Sequence, residues 1–152
     1  MMSSKDQTIH GTLVVIENQG LLLTGPSGAG KSDLALRLIT QSFPQDICAH
    51  PPLLVADDQV RLEKRDGKLY GKAPSTLEGL LEIRHVGIEK VPFMKEAEIT
   101  ALVAFTPAST IERLPQNPWP TKPLDKIDLP LIMLDPTEPS APVKLIFAAR
   151  KL

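Results

Sequence analysis

Short runs of apolar, often β-branched residues alternate along this chain with clusters of Gly, Pro, Asn and Asp. That rhythm predicts strands joined by tight turns. Residues 12–16 (TLVVI) and 21–24 (LLLT) are the first two runs, and the ENQG between them predicts a hairpin. Apolar spacing then becomes helical in residues 33–39 (DLALRLI), so a helix is expected from Lys31 to about residue 41. Ser42, Phe43 and Pro44 break it, and residues 45–52 read as a loop ending in Pro51 and Pro52. Residues 53–56 (LLVA) predict a buried strand that stops at Asp57 and Asp58. Residues 60–63 and 69–71 flank the turn pair Asp66-Gly67, which predicts a second hairpin.

Ser75 and Thr76 then predict the cap of a short helix, with Glu78 in its first turn and Leu77, Leu80 and Leu81 turned inward. Residues 82–88 read as a loop entering a strand. Two strong apolar strands are expected at 99–105 and 129–134, the second interrupted early by Pro130. Pro142 is placed to open a last helix to Leu152, with Val143, Ile146 and Phe147 on one face. Hairpins and strands with few helices predict an α/β fold around a mixed sheet rather than a doubly wound parallel one.

Composition narrows this picture. At 152 residues, 42% apolar and 23% charged, the chain suits one compact domain spanning residues 1–152. A net charge of -1 offers no general attraction to polynucleotides, so a nucleic-acid partner is not expected. Cys48 is the one cysteine, which excludes an internal disulfide framework and fits a reducing, cytoplasmic setting. No window approaches the length of a membrane-spanning helix, and the first six residues lack the form of a signal peptide, so no membrane partner is expected. Fifteen prolines, concentrated from Pro107 to Pro142, predict short elements joined by stiff connectors.

The candidate chemistry begins with Gly25, Pro26, Ser27, Gly28, Ala29, Gly30, Lys31 and Ser32, which spell the P-loop pattern GxxxxGKS. They stand between an expected strand and an expected helix, where backbone N–H groups and a helix N-terminus can cradle phosphates. Lys31 would reach the β- and γ-phosphates of a nucleoside triphosphate, and the Ser32 hydroxyl is a natural Mg²⁺ ligand. Asp57 and Asp58 end a neighbouring strand with side chains on opposite faces, so one can address phosphates or metal and the other a structural neighbour. Glu82 and Arg84 share a face of an extended segment, so Glu82 could give a metal ligand and Arg84 could offset phosphate charge. His10 alone says little. Cys48 and His50 are too few to form a metal site, and His85 and Trp119 have no constellation around them.

Taken together, His10-Gly11, the GPSGAGKS loop, LVADD at residues 54–58 and LEIRHVGI at residues 81–88 resemble the HPr kinase/phosphorylase family. The resemblance is good over about residues 9 to 91 and thin beyond them. It implies a P-loop kinase domain of the HPr kinase/PEP carboxykinase type. The implied activity is ATP- and Mg²⁺-dependent phosphorylation of a serine of the phosphocarrier HPr, by a protein that assembles into hexamers. By the same resemblance, His10 is an active-site residue, Lys31 the catalytic lysine, and Ser32 and Glu82 the Mg²⁺ ligands. Asp58, with Asp57 beside it, takes the seryl proton, and Arg113 matches a further active-site arginine.

Several positions depart from the family pattern. Asp33 stands where Glu is usual after Gly-Lys-Ser, and His85 stands where Gly is usual. The resemblance implies a longer loop at residues 45–52, a short form without the family's N-terminal domain, and C-terminal helices reduced to about residues 143–152. An Arg- and Gly-containing loop that serves dephosphorylation is replaced by PTEPSA at residues 136–141, where Glu138 would repel a phosphoserine. A kinase with weak or absent phosphorylase activity is therefore expected. Two other readings use the same cradle: a nucleotide-binding regulatory module acting through a signalling partner, and a small-molecule kinase.

Overall fold

The computed structural model describes residues 7–152. Strands β1 (Gln7–His10), β2 (Thr12–Ile16) and β3 (Gln19–Thr24) come first, followed by helix α1 (Lys31–Thr40). Next come β4 (Leu53–Ala56), β5 (Gln59–Arg65), β6 (Lys68–Lys72), β7 (Leu80–Ile83) and β8 (Gly87–Lys90). Then follow β9 (Glu96–Phe105), β10 (Thr121–Leu124), β11 (Ile127–Leu134) and helix α2 (Ala141–Ala149). Three hairpins turn on residue pairs with positive φ: Glu17-Asn18 (52° and 66°), Asp66-Gly67 (51° and 76°) and Asp125-Lys126 (48° and 67°). Such two-residue loops match the twist of the strands they join.

Nine strands form one sheet, in the order β1-β5-β6-β9-β3-β2-β4, with β11 also paired to β9 and β10 to β11. Strand β9 is the organiser. It pairs antiparallel with β6 and parallel with both β3 and β11. At Gly20 the two backbones come so close that a Cβ would lie 2.0 Å from the Glu98 carbonyl oxygen, so only glycine fits. Strand β2 runs antiparallel to both β3 and β4. The C-terminal ends of β3 and β4 therefore emerge on the same side of the sheet, and this juxtaposition positions the site.

Both faces of the central strands are covered, which explains their unbroken apolar runs. On one face Val14, Leu21, Leu23 and Val103 pack with Leu34 and Leu38 of α1 and Leu145 and Ile146 of α2. On the other, Leu13, Leu22, Val55 and Leu102 pack with Val60, Leu62 and Leu69 of the curled β5–β6 ribbon.

The structure corrects several local expectations. The first strand is not residues 12–16: an earlier one, β1, ends at His10, which is paired with Gln59. Ser75–Leu77 is one turn of 3₁₀ helix without a side-chain cap, and Leu80 and Leu81 belong to strand β7. Gly79, at φ +73° and pressed against Phe93, turns the chain out of any helix. Strand β11 starts at Ile127 and carries Pro130 opposite Thr121 of the unanticipated β10. On α2 the buried stripe is Ala141, Pro142, Leu145, Ile146 and Ala149, whereas Phe147 is exposed. Among the described residues no helix is long and apolar enough to cross a membrane.

Candidate active site

The P-loop joins β3 to α1. Gly28 and Gly30 take φ of +84° and +102°, conformations that cost an L-residue but let the chain curl into the first turn of α1. The helix closes with Leu34 N–H donating to the Gly30 carbonyl at 2.9 Å, which leaves the earlier N–H groups without intrahelical partners. Lys31 is buried, and its ammonium donates to the carbonyls of Gly25 (2.6 Å) and Pro26 (2.8 Å). Two of its three N–H donors thus brace the loop, and one remains for a ligand. Arg37 fixes the other side of α1, donating to Asp33 at 3.1 Å and to the Pro136 carbonyl at 2.6 Å.

Asp57 sits at the end of β4 and gathers four elements. Its Oδ1 accepts from the Ser32 hydroxyl (2.7 Å) and the Thr12 hydroxyl (3.0 Å), and its Oδ2 accepts from the Glu82 backbone N–H (3.3 Å). Asp58 goes the other way. The chain reverses tightly, with Gln59 N–H on the Asp57 carbonyl at 2.8 Å and Asp58 at φ +70°. This sends the Asp58 carboxylate toward His10, with Oδ1 3.3 Å from Nε2 and both side chains more than half exposed. Sequence reasoning missed Thr12, the fully buried polar residue that orients Asp57. Its one signal was a hydroxyl at the head of an otherwise apolar strand.

Between these groups lies a cleft of about 420 Å³. His10, Lys31, Ser32, Asp58 and Glu82 all line it, with Ser27, Gly28 and Gly30 of the loop. Asp57 joins through Ser32, and Gly25, Pro26 and Ala29 complete the loop, the first two as the acceptors for Lys31. Arg84 and His85 also line the cleft, from the turn after β7, so Arg84 does not share a strand with Glu82. His85 has φ +71°, a conformation that glycine adopts without strain.

Arg113 is elsewhere. It lines a second cavity of about 630 Å³ with Trp119, Met133, Glu138 and Lys144, because the proline-rich stretch 107–120 runs over β11 and α2. Glu138 lies in that cavity too, its carboxylate 2.7 Å from the Lys144 ammonium, and is not among the residues that line the cleft.

The donor set suits Mg²⁺. A serine hydroxyl, the Asp57 carboxylate bonded to it and Glu82 on the same cleft are all hard oxygen donors. No group of three or more His, Cys, Asp or Glu among the described residues forms a metal cage. Cys48 donates its thiol to the His50 backbone carbonyl at 3.1 Å.

Comparison with known proteins identifies the family. The family model of the HPr serine kinase C-terminal domain matches residues 2–117. The chain belongs to that family. It is 43% identical over 84 residues to the HPr kinase/phosphorylase of Clostridium tetani, an alignment covering 55% of this chain and 25% of that protein. It is 36% identical over 104 residues to the enzyme of the same name from Clostridium botulinum, covering 64% of this chain and 31% of that one. The chain thus spans about a quarter to a third of these curated relatives. The solved Hpr(Ser) kinase/phosphatase from Coxiella burnetii superposes with a TM-score of 0.76 at 25% identity, covering 95% of each chain. The fold is that of this HPr kinase family, a P-loop kinase fold around a mixed sheet.

Proposed function

We propose that this chain is a cytoplasmic, ATP- and Mg²⁺-dependent protein-serine kinase whose acceptor is HPr or an HPr-like phosphocarrier. In this reading residues 1–152 act as one catalytic domain, the active form is a homo-oligomer, and phosphorylase activity is weak or absent. The observation that carries the proposal is the division of labour between adjacent aspartates: Asp57 clasps Ser32 of the P-loop, while Asp58 faces the open cleft beside His10.

Each part of phosphoryl transfer then has a residue. Backbone N–H groups of the loop and the start of α1 hold the β- and γ-phosphates, and Lys31 adds a positive charge. Ser32, Asp57 and Glu82 would hold Mg²⁺, which when bound neutralises charge on the phosphates. Asp58 accepts the proton of the serine hydroxyl as its oxygen bonds to the γ-phosphorus and the bond to the ADP oxygen breaks. His10, whose Nε2 stands 3.3 Å from the Asp58 carboxylate, would hold it in position for that proton. Arg84 lies where it can offset the charge of the transferred group.

The weak-phosphorylase part rests on the loop at residues 136–141. It packs beside the P-loop, with Pro136 at the contact limit of a Cβ on Gly30, yet offers the cleft no cation. The kinase reading is tested by incubating purified protein with ATP, Mg²⁺ and HPr. Asp58→Asn should lower transfer by roughly a hundredfold or more while nucleotide affinity is retained. Full transfer by that variant removes the base assignment. Rapid phosphate release from phospho-HPr with added inorganic phosphate removes the kinase-only part.

A further inference from the structure

Three carboxylates line the cleft: Asp33, Asp58 and Glu82. In the reading above Asp58 and Glu82 have roles in phosphoryl transfer, and Asp33 has none. It follows Ser32 directly and stands in the first turn of α1, where a negative charge favours the helix. The same charge is a liability there. The helix N-terminus that an acid stabilises is the one that must receive phosphates, so carboxylate and ligand compete for it. Lys31 and Arg84 are the Lys and Arg side chains on the cleft walls, too few to offset both the acids and a triphosphate.

Arg37 lies one turn further along α1. Its Nε donates to Asp33 Oδ2 at 3.1 Å, four residues back. The guanidinium is also held by the loop after β11. One terminal nitrogen donates to the Pro136 carbonyl at 2.6 Å, and the other donates to the Glu138 carbonyl at 3.5 Å. That loop is itself braced. Asp135 accepts from the Thr137 hydroxyl (2.6 Å) and N–H (2.9 Å) and from the Ala108 N–H (2.9 Å). Lys144 holds the Glu138 carboxylate at 2.7 Å. The Arg37 side chain is thus locked and 24% exposed, and it holds an Asp33 side chain that is 67% exposed. An exposed pair of this spacing adds little to stability, so its effect belongs with the ligand rather than the fold.

We infer that Arg37 is a positioning residue for the nucleotide: it pins Asp33 and cancels its charge, so that the acid beside Ser32 does not oppose the phosphates. Arg37 itself does not line the cleft and acts through Asp33. This rests on the nucleotide-binding part of the kinase reading.

The test titrates MgATP into the full chain and its variants at low and high salt, with melting followed in parallel. Arg37→Gln frees the Asp33 charge and should weaken MgATP binding roughly five- to tenfold at low salt, a loss that shrinks as salt screens the carboxylate. Arg37→Met keeps the aliphatic stem and carries the same expectation should Arg37→Gln melt below the assay temperature. Arg37→Lys keeps a cation at the same spacing without the fork, and should stay within about twofold of wild type. Adding Asp33→Asn to Arg37→Gln should return affinity to within about twofold of wild type. An arginine that only ties α1 to residues 136–138 behaves differently. Arg37→Lys would then bind as poorly as Arg37→Gln, and removing the Asp33 charge would rescue nothing. Either of those results, or unchanged affinity in Arg37→Gln, overturns the inference and leaves the kinase reading standing. A wild-type chain that binds no MgATP overturns the kinase reading itself.

Discussion

Thr12 offers the sharpest test of how the site is held together. Its side chain is fully buried, and its hydroxyl donates to the same Asp57 oxygen that accepts from Ser32. Thr12→Val keeps the shape and deletes that donor. A hydrogen bond to a charged group contributes about 1.5–3 kcal/mol net. Here the lower end applies, because Asp57 keeps the Ser32 hydroxyl and the Glu82 N–H, and valine leaves no unpaired polar atom. A loss of about 1.5 kcal/mol shifts the melting temperature of a chain this size by about 3–6 °C. The freed carboxylate should also weaken Mg²⁺-dependent nucleotide binding roughly tenfold, the scale for supporting partners of metal-holding groups. Calorimetric melting and nucleotide titration with and without Mg²⁺ measure both effects, and Thr12→Ser should restore them. A melting shift below about 1 °C with unchanged Mg²⁺-dependent affinity would refute the idea that this hydroxyl orients Asp57.

Three further outcomes are expected. Arg113→Gln should leave nucleotide affinity and Mg²⁺ dependence unchanged by titration, because Arg113 lies in the second cavity rather than the cleft. Gly20→Ala should destabilise the fold by about 3 kcal/mol in urea unfolding, since its Cβ would force β3 away from β9. Cys48 should react more slowly with maleimide at pH 8 than a cysteine in an unfolded peptide. Burial first, and then the negative charge of Glu17, push its thiol above the ordinary range and keep it protonated.

What the sequence revealed was what local pattern controls. The P-loop is a contiguous string whose glycines, preceding strand and following helix all lie within about twenty residues, so it could be read directly. The ending of a buried strand at Asp57 and Asp58 was equally visible. The role of Thr12 was hidden because it arises when β2 inserts between β3 and β4, a pairing no local window contains. Strand β10 escaped because Pro123 and Pro130 mask the alternation and Asp125-Lys126 makes a tight turn without glycine. Leu77, Leu80 and Leu81 fit helical spacing as well as they fit a strand. Pairing of β7 with β8 decided between them. Arg113 was placed by resemblance in a proline-rich stretch whose path is set by packing against β11 and α2, not by its own residues.

The pairing of Leu21 with Ala101 across β3 and β9 bears on how the protein is made. The strand that leads into the phosphate loop leaves the ribosome long before the partner that covers its open edge. Until residue 105 has emerged, that edge is bare hydrogen-bonding backbone flanked by leucines, a template for unwanted association. During folding the β2–β3 hairpin therefore keeps one unpaired edge until β9 docks on it.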